Sequence, residues 1–197
     1  MGKIIEQEPV FHMTLGKGSR VNYLDPFLTS YNQEEIFHHL FNICRYNGAI
    51  KVDLARHSLL VGKLVATYTN DPVIIAKAVT HDFQECIVGD VVTGLKTLLP
   101  AFSDIEKLWE DWVAVNLQLP KNSELSIQDR RLIKEEDTRA LVVETTYFKH
   151  GGLPVFNQLY GTVDESELAI GDNIFTSPDW QIKLQIENMI KRGQEWQ

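Results

Sequence analysis

The chain has 197 residues, 44% of them hydrophobic and 23% charged, the size and composition of one globular domain with a sizeable core. Its formal net charge of -8 argues against stable binding to nucleic-acid backbones, which needs a basic surface, but leaves small anionic substrates open. No apolar run is long enough to span a bilayer, and Met1-Gly2-Lys3-Ile4-Ile5-Glu6 lacks a signal-peptide core, so no membrane association and a cytoplasmic location are expected.

Residues 1–10 read as a loose lead-in. Short alternating runs around Gly16-Lys17-Gly18 predict a β-hairpin over residues 11–24. Ile36, Phe37, Leu40, Phe41, Ile43 and Cys44 carry helical periodicity and predict a helix over 33–46. His38 and His39 lie on it about 100° apart, a poor geometry for sharing an ion. A second helix is predicted over 53–68 with Asp53 as N-cap, and a third after Asn70-Asp71-Pro72. Residues 91–96 read as a loop. Further helices are predicted over 103–117, with Trp109 and Trp112 in the core, and over 127–147. Residues 149–178, rich in Gly, Pro, Asn and Asp, read as a long irregular connection before a last helix over 179–191. The expected fold is a mainly α helical bundle with a small N-terminal hairpin: one domain, with a helical core over about 33–147 and a C-terminal extension over 148–197. Cys44 and Cys86 are expected to be reduced, buried thiols in helices.

Chemistry concentrates in Thr80-His81-Asp82-Phe83-Gln84-Glu85-Cys86-Ile87-Val88-Gly89-Asp90, at the end of the third helix. Buried carboxylates need partners, and this stretch holds an imidazole and three of them. His81 and Asp82 can reach one cation, and Glu85 returns to the same helix face three to four residues later. With His57 and Asp137 from two other helices they give two imidazoles and two carboxylates. That donor set suits one divalent transition ion, Co²⁺, Mn²⁺, Zn²⁺, Fe²⁺ or Ni²⁺.

The lone His57, the His81-Asp82 pair, the distant Asp137 and the extended form His-Asp-x-x-Glu-x-x-x-Gly-Asp resemble the HD-domain phosphohydrolase superfamily. Within it the chain is similar to bacterial 5′-deoxynucleotidases and to phage dATP triphosphohydrolases, over about residues 36–144. The resemblance implies His57, His81, Asp82 and Asp137 as metal ligands and Glu85 as general acid/base, with Asp90 positioning or activating water. It implies Arg45, Lys96 and Lys134 as phosphate contacts and Tyr46 against sugar or base. Gly94 stands where relatives often have proline. The implied activity is a metal-dependent dNTP triphosphohydrolase, with dATP foremost, giving deoxynucleoside and triphosphate. The alternatives are a 5′-deoxynucleotidase acting on dNMPs, a non-catalytic nucleotide-binding regulator, and hydrolysis of a cyclic nucleotide. Relatives form dimers or rings, so a homo-oligomer is expected.

Overall fold

The computed structural model describes residues 11–14, 19–29, 33–149 and 153–196. Two strands, β1 (Phe11–Thr14) and β2 (Ser19–Asn22), pair antiparallel with Phe11 opposite Asn22 and Thr14 opposite Ser19. The lead-in over 1–10 and the glycine turn between the strands lie outside the described residues. The remainder is helical: α1 (Gln33–Asn42), α2 (Leu54–Val65), α3 (Pro72–Val79), α4 (Glu85–Val88), α5 (Thr93–Lys96), α6 (Pro100–Asn116), α7 (Ile127–Tyr147), α8 (Leu153–Tyr160), α9 (Glu165–Phe175) and α10 (Asp179–Glu195). The fold is therefore mainly α with a small N-terminal hairpin.

Helix α2 lies at the centre, because it is apolar nearly all round and a helix of that kind has to be enclosed. Leu54, Ala55, Leu59, Leu60, Val61, Leu64 and Val65 are all buried, and α1, α3, α7, α9 and α10 pack around them. Its N-cap is Asp53, which accepts from the backbone N–H of Arg56 at 2.9 Å. Asp71 caps α3 in the same way, accepting from Val73 N at 2.8 Å, with Pro72 in the first turn. Trp109 and Trp112 of α6 are core residues, as expected, and the Trp109 indole donates to Tyr23 O beside the hairpin. Ile182, Ile186 and Ile190 of α10 belong to the same core, each burial stabilising by about 1.5–3 kcal/mol.

Four local expectations are corrected. Residues 149–178 are largely helical, carrying α8 and α9. Asp164 and Glu167 cap α9 reciprocally, each side chain accepting from the other residue's backbone N–H. Residues 93–96 form the short α5 instead of a loop. Helix α1 ends at Asn42, because Arg45 N donates to Val52 O at 3.0 Å and Leu54 N to Ile43 O at 3.1 Å, drawing residues 43–45 into a bridge with residues 52–54. Cys44 in that bridge is exposed and non-helical, whereas Cys86 is buried; both are free thiols.

Candidate metal centre

The end of α3 sets the geometry of the centre. After Val79 the chain keeps turning but tightens, with Phe83 N donating to Thr80 O at 3.2 Å and Glu85 N to Asp82 O at 2.9 Å. His81 and Asp82 thus sit in a turn beyond α3, and Glu85 opens α4 instead of continuing one helix face. His57 comes from the second turn of α2 and has no exposed surface. Asp137 comes from the middle of α7.

One ligand atom from each of His57, His81, Asp82 and Asp137 can be chosen so that all four lie within 4.8 Å of one another. His57 Nε2 is 3.3 Å from Asp137 Oδ1 and 3.6 Å from Asp82 Oδ2. His81 Nε2 is 3.0 Å from Asp82 Oδ2 and 3.6 Å from Asp137 Oδ1. Among the described residues this is the one such cluster; His38 and His39 stay outside it, and the side chain of His12 is not among those described.

The opposite ring nitrogens explain why the rings face inward. His57 Nδ1 lies 2.7 Å from Glu144 Oε1, and His81 Nδ1 lies 2.8 Å from the Ala78 carbonyl, which can only accept. A proton on each Nδ1 leaves each Nε2 as the ligand atom. Both Nε2 atoms are buried without a well-formed hydrogen bond, so the donor set fits a cation.

Electrostatics point the same way. Burial alone would raise the Asp82 carboxyl, but the His81 charge outweighs it and holds it well below the usual carboxylate range. Burial is likewise outweighed at Asp137, here by His57 and His81. Burial would lower His81, yet the Asp82 and Asp137 carboxylates raise it well above an ordinary imidazole. Without a cation these carboxylates hold a proton on His81; a divalent ion would replace it.

Behind the cluster lies Glu144, fully buried on α7 two turns beyond Asp137. The Tyr46 hydroxyl donates to its Oε2 at 2.6 Å, and Arg45 Nε approaches the same oxygen at 3.5 Å. Arg45 Nη1 also lies 3.6 Å from Asp82, joining the support to the ligands. Tyr46 can hold this position because residues 46–48 run left-handed, with φ of 55° at Tyr46, 51° at Asn47 and 79° at Gly48. Asn and Gly tolerate such a turn readily, whereas Tyr does so at a cost.

A cavity of about 290 Å³ opens beside the cluster, with Arg45, Tyr46, Glu85, Asp90, Lys96 and Lys134 in its wall. Glu85 is nearly buried, and burial pushes its carboxyl up to about 8, reinforced by the Asp82 and Asp90 charges and opposed by Lys96 and Arg45. One of its oxygens accepts from Lys96 Nζ at 3.2 Å, while Oε2 has no partner. Lys96 also meets Glu106 at 2.6 Å, and Lys134 meets Asp137 at 2.7 Å. All ten residues singled out in the sequence therefore gather at one place, His57 and His81 behind the wall and the other eight along the cavity.

No protein-family model matches the chain. An uncharacterised protein of Rhodobacter capsulatus is 31% identical to it over 130 residues, or 61% of this chain. The match covers 64% of that protein, less than two thirds of its length. Its name carries no activity.

Glu144 was the supporting residue not singled out in the sequence. Its signal was the spacing of seven from Asp137, which returns to the same face of a helix after two turns.

Proposed function

We propose that the chain is a metal-dependent phosphohydrolase of the HD-domain type, acting on deoxynucleotides and converting a dNTP, dATP foremost, into deoxynucleoside and triphosphate. The supporting observation is the convergence of two inward-facing Nε2 atoms on two ionised carboxylates, beside a nearly buried Glu85 that keeps a proton to about pH 8. A divalent transition ion held by His57, His81, Asp82 and Asp137 would supply Lewis acidity toward a phosphoryl oxygen and lower the pKa of water.

The chain's own residues divide the remaining work. Arg45 and Lys134 in the cavity wall offset charge on the phosphate oxygens. Asp90 accepts a hydrogen bond from the attacking water and takes its proton. The water oxygen bonds to the α-phosphorus, the bond from phosphorus to the 5′ oxygen breaks, and Glu85 gives that oxygen its proton. Lys96 holds Glu85 in place and restores balance when the carboxylate forms. Tyr46 borders the cavity, where its ring can meet sugar or base while its hydroxyl stays on Glu144.

A 5′-deoxynucleotidase is the second reading, favoured by the pairing of both Lys96 and Lys134 with carboxylates, which leaves less free positive charge for a phosphate tail. Exposed Trp180 and Leu184 on α10 support a homo-oligomer. No described helix is long and apolar enough to cross a membrane. Chromatography of products from a dNTP and dNMP panel with Co²⁺ or Mn²⁺ tests the reading. The expected products are deoxynucleoside and triphosphate. Turnover of monophosphates alone selects the second reading, and nucleotide binding without any hydrolysis selects a regulator.

A further inference from the structure

A second cavity, of about 240 Å³, lies across the cluster from the first and shares Asp82, Lys134 and Asp137 with it. It follows the contact between α3 and α7. Lys77 and His81 are four residues apart where α3 runs out, and Arg130, Lys134 and Asp137 recur at spacings of four and three along α7. Each element thus carries a cation about one turn or more, some 5 Å or further, from its metal ligand.

Lys77 is the unusual member. The residue is 5% exposed and lines the cavity, yet among the described residues no carboxylate lies within ion-pairing distance of its side chain, which makes no hydrogen bond. Glu110, Asp111 and Glu124 act on it only through space. An ammonium so nearly enclosed and without an ion-pair partner is costly and ordinarily calls for an anion. Arg130 donates from Nη1 to the Asn122 carbonyl at 3.2 Å and makes no ion pair among the described residues. The one carboxylate facing this cavity outside the metal cluster is Glu110, which Asn122 holds at 3.1 Å.

We propose that this second cavity holds the distal phosphates of a nucleoside polyphosphate, with Lys77 and Arg130 as their binding residues and Lys134 at the junction with the metal cluster. This rests on the phosphohydrolase reading and deepens it, because a monophosphate anchored at the cluster would not reach Lys77. It also supplies the free cations that the first cavity lacks.

Calorimetry with inorganic tripolyphosphate and orthophosphate tests the site, using protein as purified and dialysed free of unbound ion so that the probe is not chelated in solution. The expected result is binding of tripolyphosphate at least tenfold tighter than orthophosphate. Lys77→Met and, separately, the surface change Arg130→Ala should each weaken tripolyphosphate at least fivefold and leave orthophosphate within twofold. Thermal melts establish that both variants fold; Arg130→Ala keeps the test decisive if Lys77→Met does not. Equal affinity for the two anions, or unchanged tripolyphosphate binding in the folded variants, overturns the proposal. The two readings fail separately: Lys77-dependent binding without hydrolysis of any nucleotide removes the phosphohydrolase and keeps the anion site. Hydrolysis of dNTPs with the same KM in both variants does the reverse.

Discussion

The Nδ1 of His57 and Oε1 of Glu144 face each other at 2.7 Å with both side chains wholly buried. This contact turns the imidazole so that Nε2 points at Asp82 and Asp137, and Glu144 in turn depends on Tyr46 and Arg45. Burial raises the Glu144 carboxyl, but His57 and Arg45 outweigh it and keep it below the ordinary value. Glu144→Ala leaves the His57 N–H and the Tyr46 hydroxyl unpaired and Arg45 with only Asp82 at 3.6 Å, so it should cost about 3–5 kcal/mol in urea unfolding. Glu144→Gln keeps the shape and should mainly lower metal affinity, by about 10–100-fold in calorimetric titration. Wild-type affinity in Glu144→Gln would remove the orienting role.

Glu85 makes metal-free stability depend on pH with a definite sign. Its folded-state pKa is pushed up to about 8 from 4.5. Between those values the folded protein keeps a proton that the unfolded chain has released, so stability falls as pH rises through that window. In the presence of chelator, the melting temperature should drop between pH 6 and 8.5, and Glu85→Gln should flatten that part of the curve. An unchanged slope in Glu85→Gln assigns the proton elsewhere. With metal bound, the same variant should lose hydrolysis while still binding nucleotide.

The four residues of the cluster were legible because each is a residue type that a core does not normally carry, placed among apolar positions. His81-Asp82 in its apolar setting pointed to His57 and Asp137 as partners, and the structure brings all four together. Their supports were harder to see. Glu144 sits in a helix with several other acids, and Glu136 is buried there too, so only its contacts with His57, Tyr46 and Arg45 set it apart. Lys77 reads as an interruption of an apolar run, since nothing local says that neighbouring helices will enclose it. The early end of α1 depends on a bridge to residues 52–54, a tertiary contact that periodicity cannot register. Helices α8 and α9 were hidden by the glycine, proline and asparagine within and around them, although Asp164-Glu165-Ser166-Glu167 carried a capping signature.

Metal affinity should fall as pH is lowered. The Asp82 and Asp137 carboxylates raise the His81 pKa, so below that value an incoming ion has to displace a proton. Calorimetric titrations in buffers of different ionisation heat should show proton release and an affinity loss approaching about tenfold per pH unit. His81→Ala should abolish the release along with most of the affinity. Chelation of wild-type protein should lower the melting temperature, since an ion that binds the folded state alone stabilises it by mass action.

Gly193 lets α10 approach α3 closely. A Cβ there would lie 2.5 Å from Ala76 Cβ and 3.0 Å from Pro72 O, too close without displacement of a helix. Alanine is intrinsically the better helix former by about 1 kcal/mol, but the clash should outweigh it. Gly193→Ala should therefore lose about 1–3 kcal/mol in urea unfolding. Ala76→Gly in the same chain should recover part of the loss, since it removes the nearer of the two atoms. Destabilisation that is purely additive in the double variant would argue against the contact.

Tyr46 separates a supporting role from a substrate-facing one. Its backbone is left-handed at φ 55°, a conformation costing about 1–3 kcal/mol for such a residue unless its surroundings hold it. The hydroxyl bond to Glu144 at 2.6 Å is the hold, and burial and the Glu144 charge push the phenol well above its ordinary pKa, so it stays a donor. Tyr46→Phe keeps the ring in the cavity wall but removes that donor. It should lose about 1.5–3 kcal/mol of stability, as expected for a hydrogen bond to a charged group, and weaken metal binding. Nucleotide affinity measured at saturating metal should be unchanged in Tyr46→Phe and reduced in Tyr46→Ala if the ring meets the nucleotide. Equal affinity in both variants would confine Tyr46 to holding Glu144.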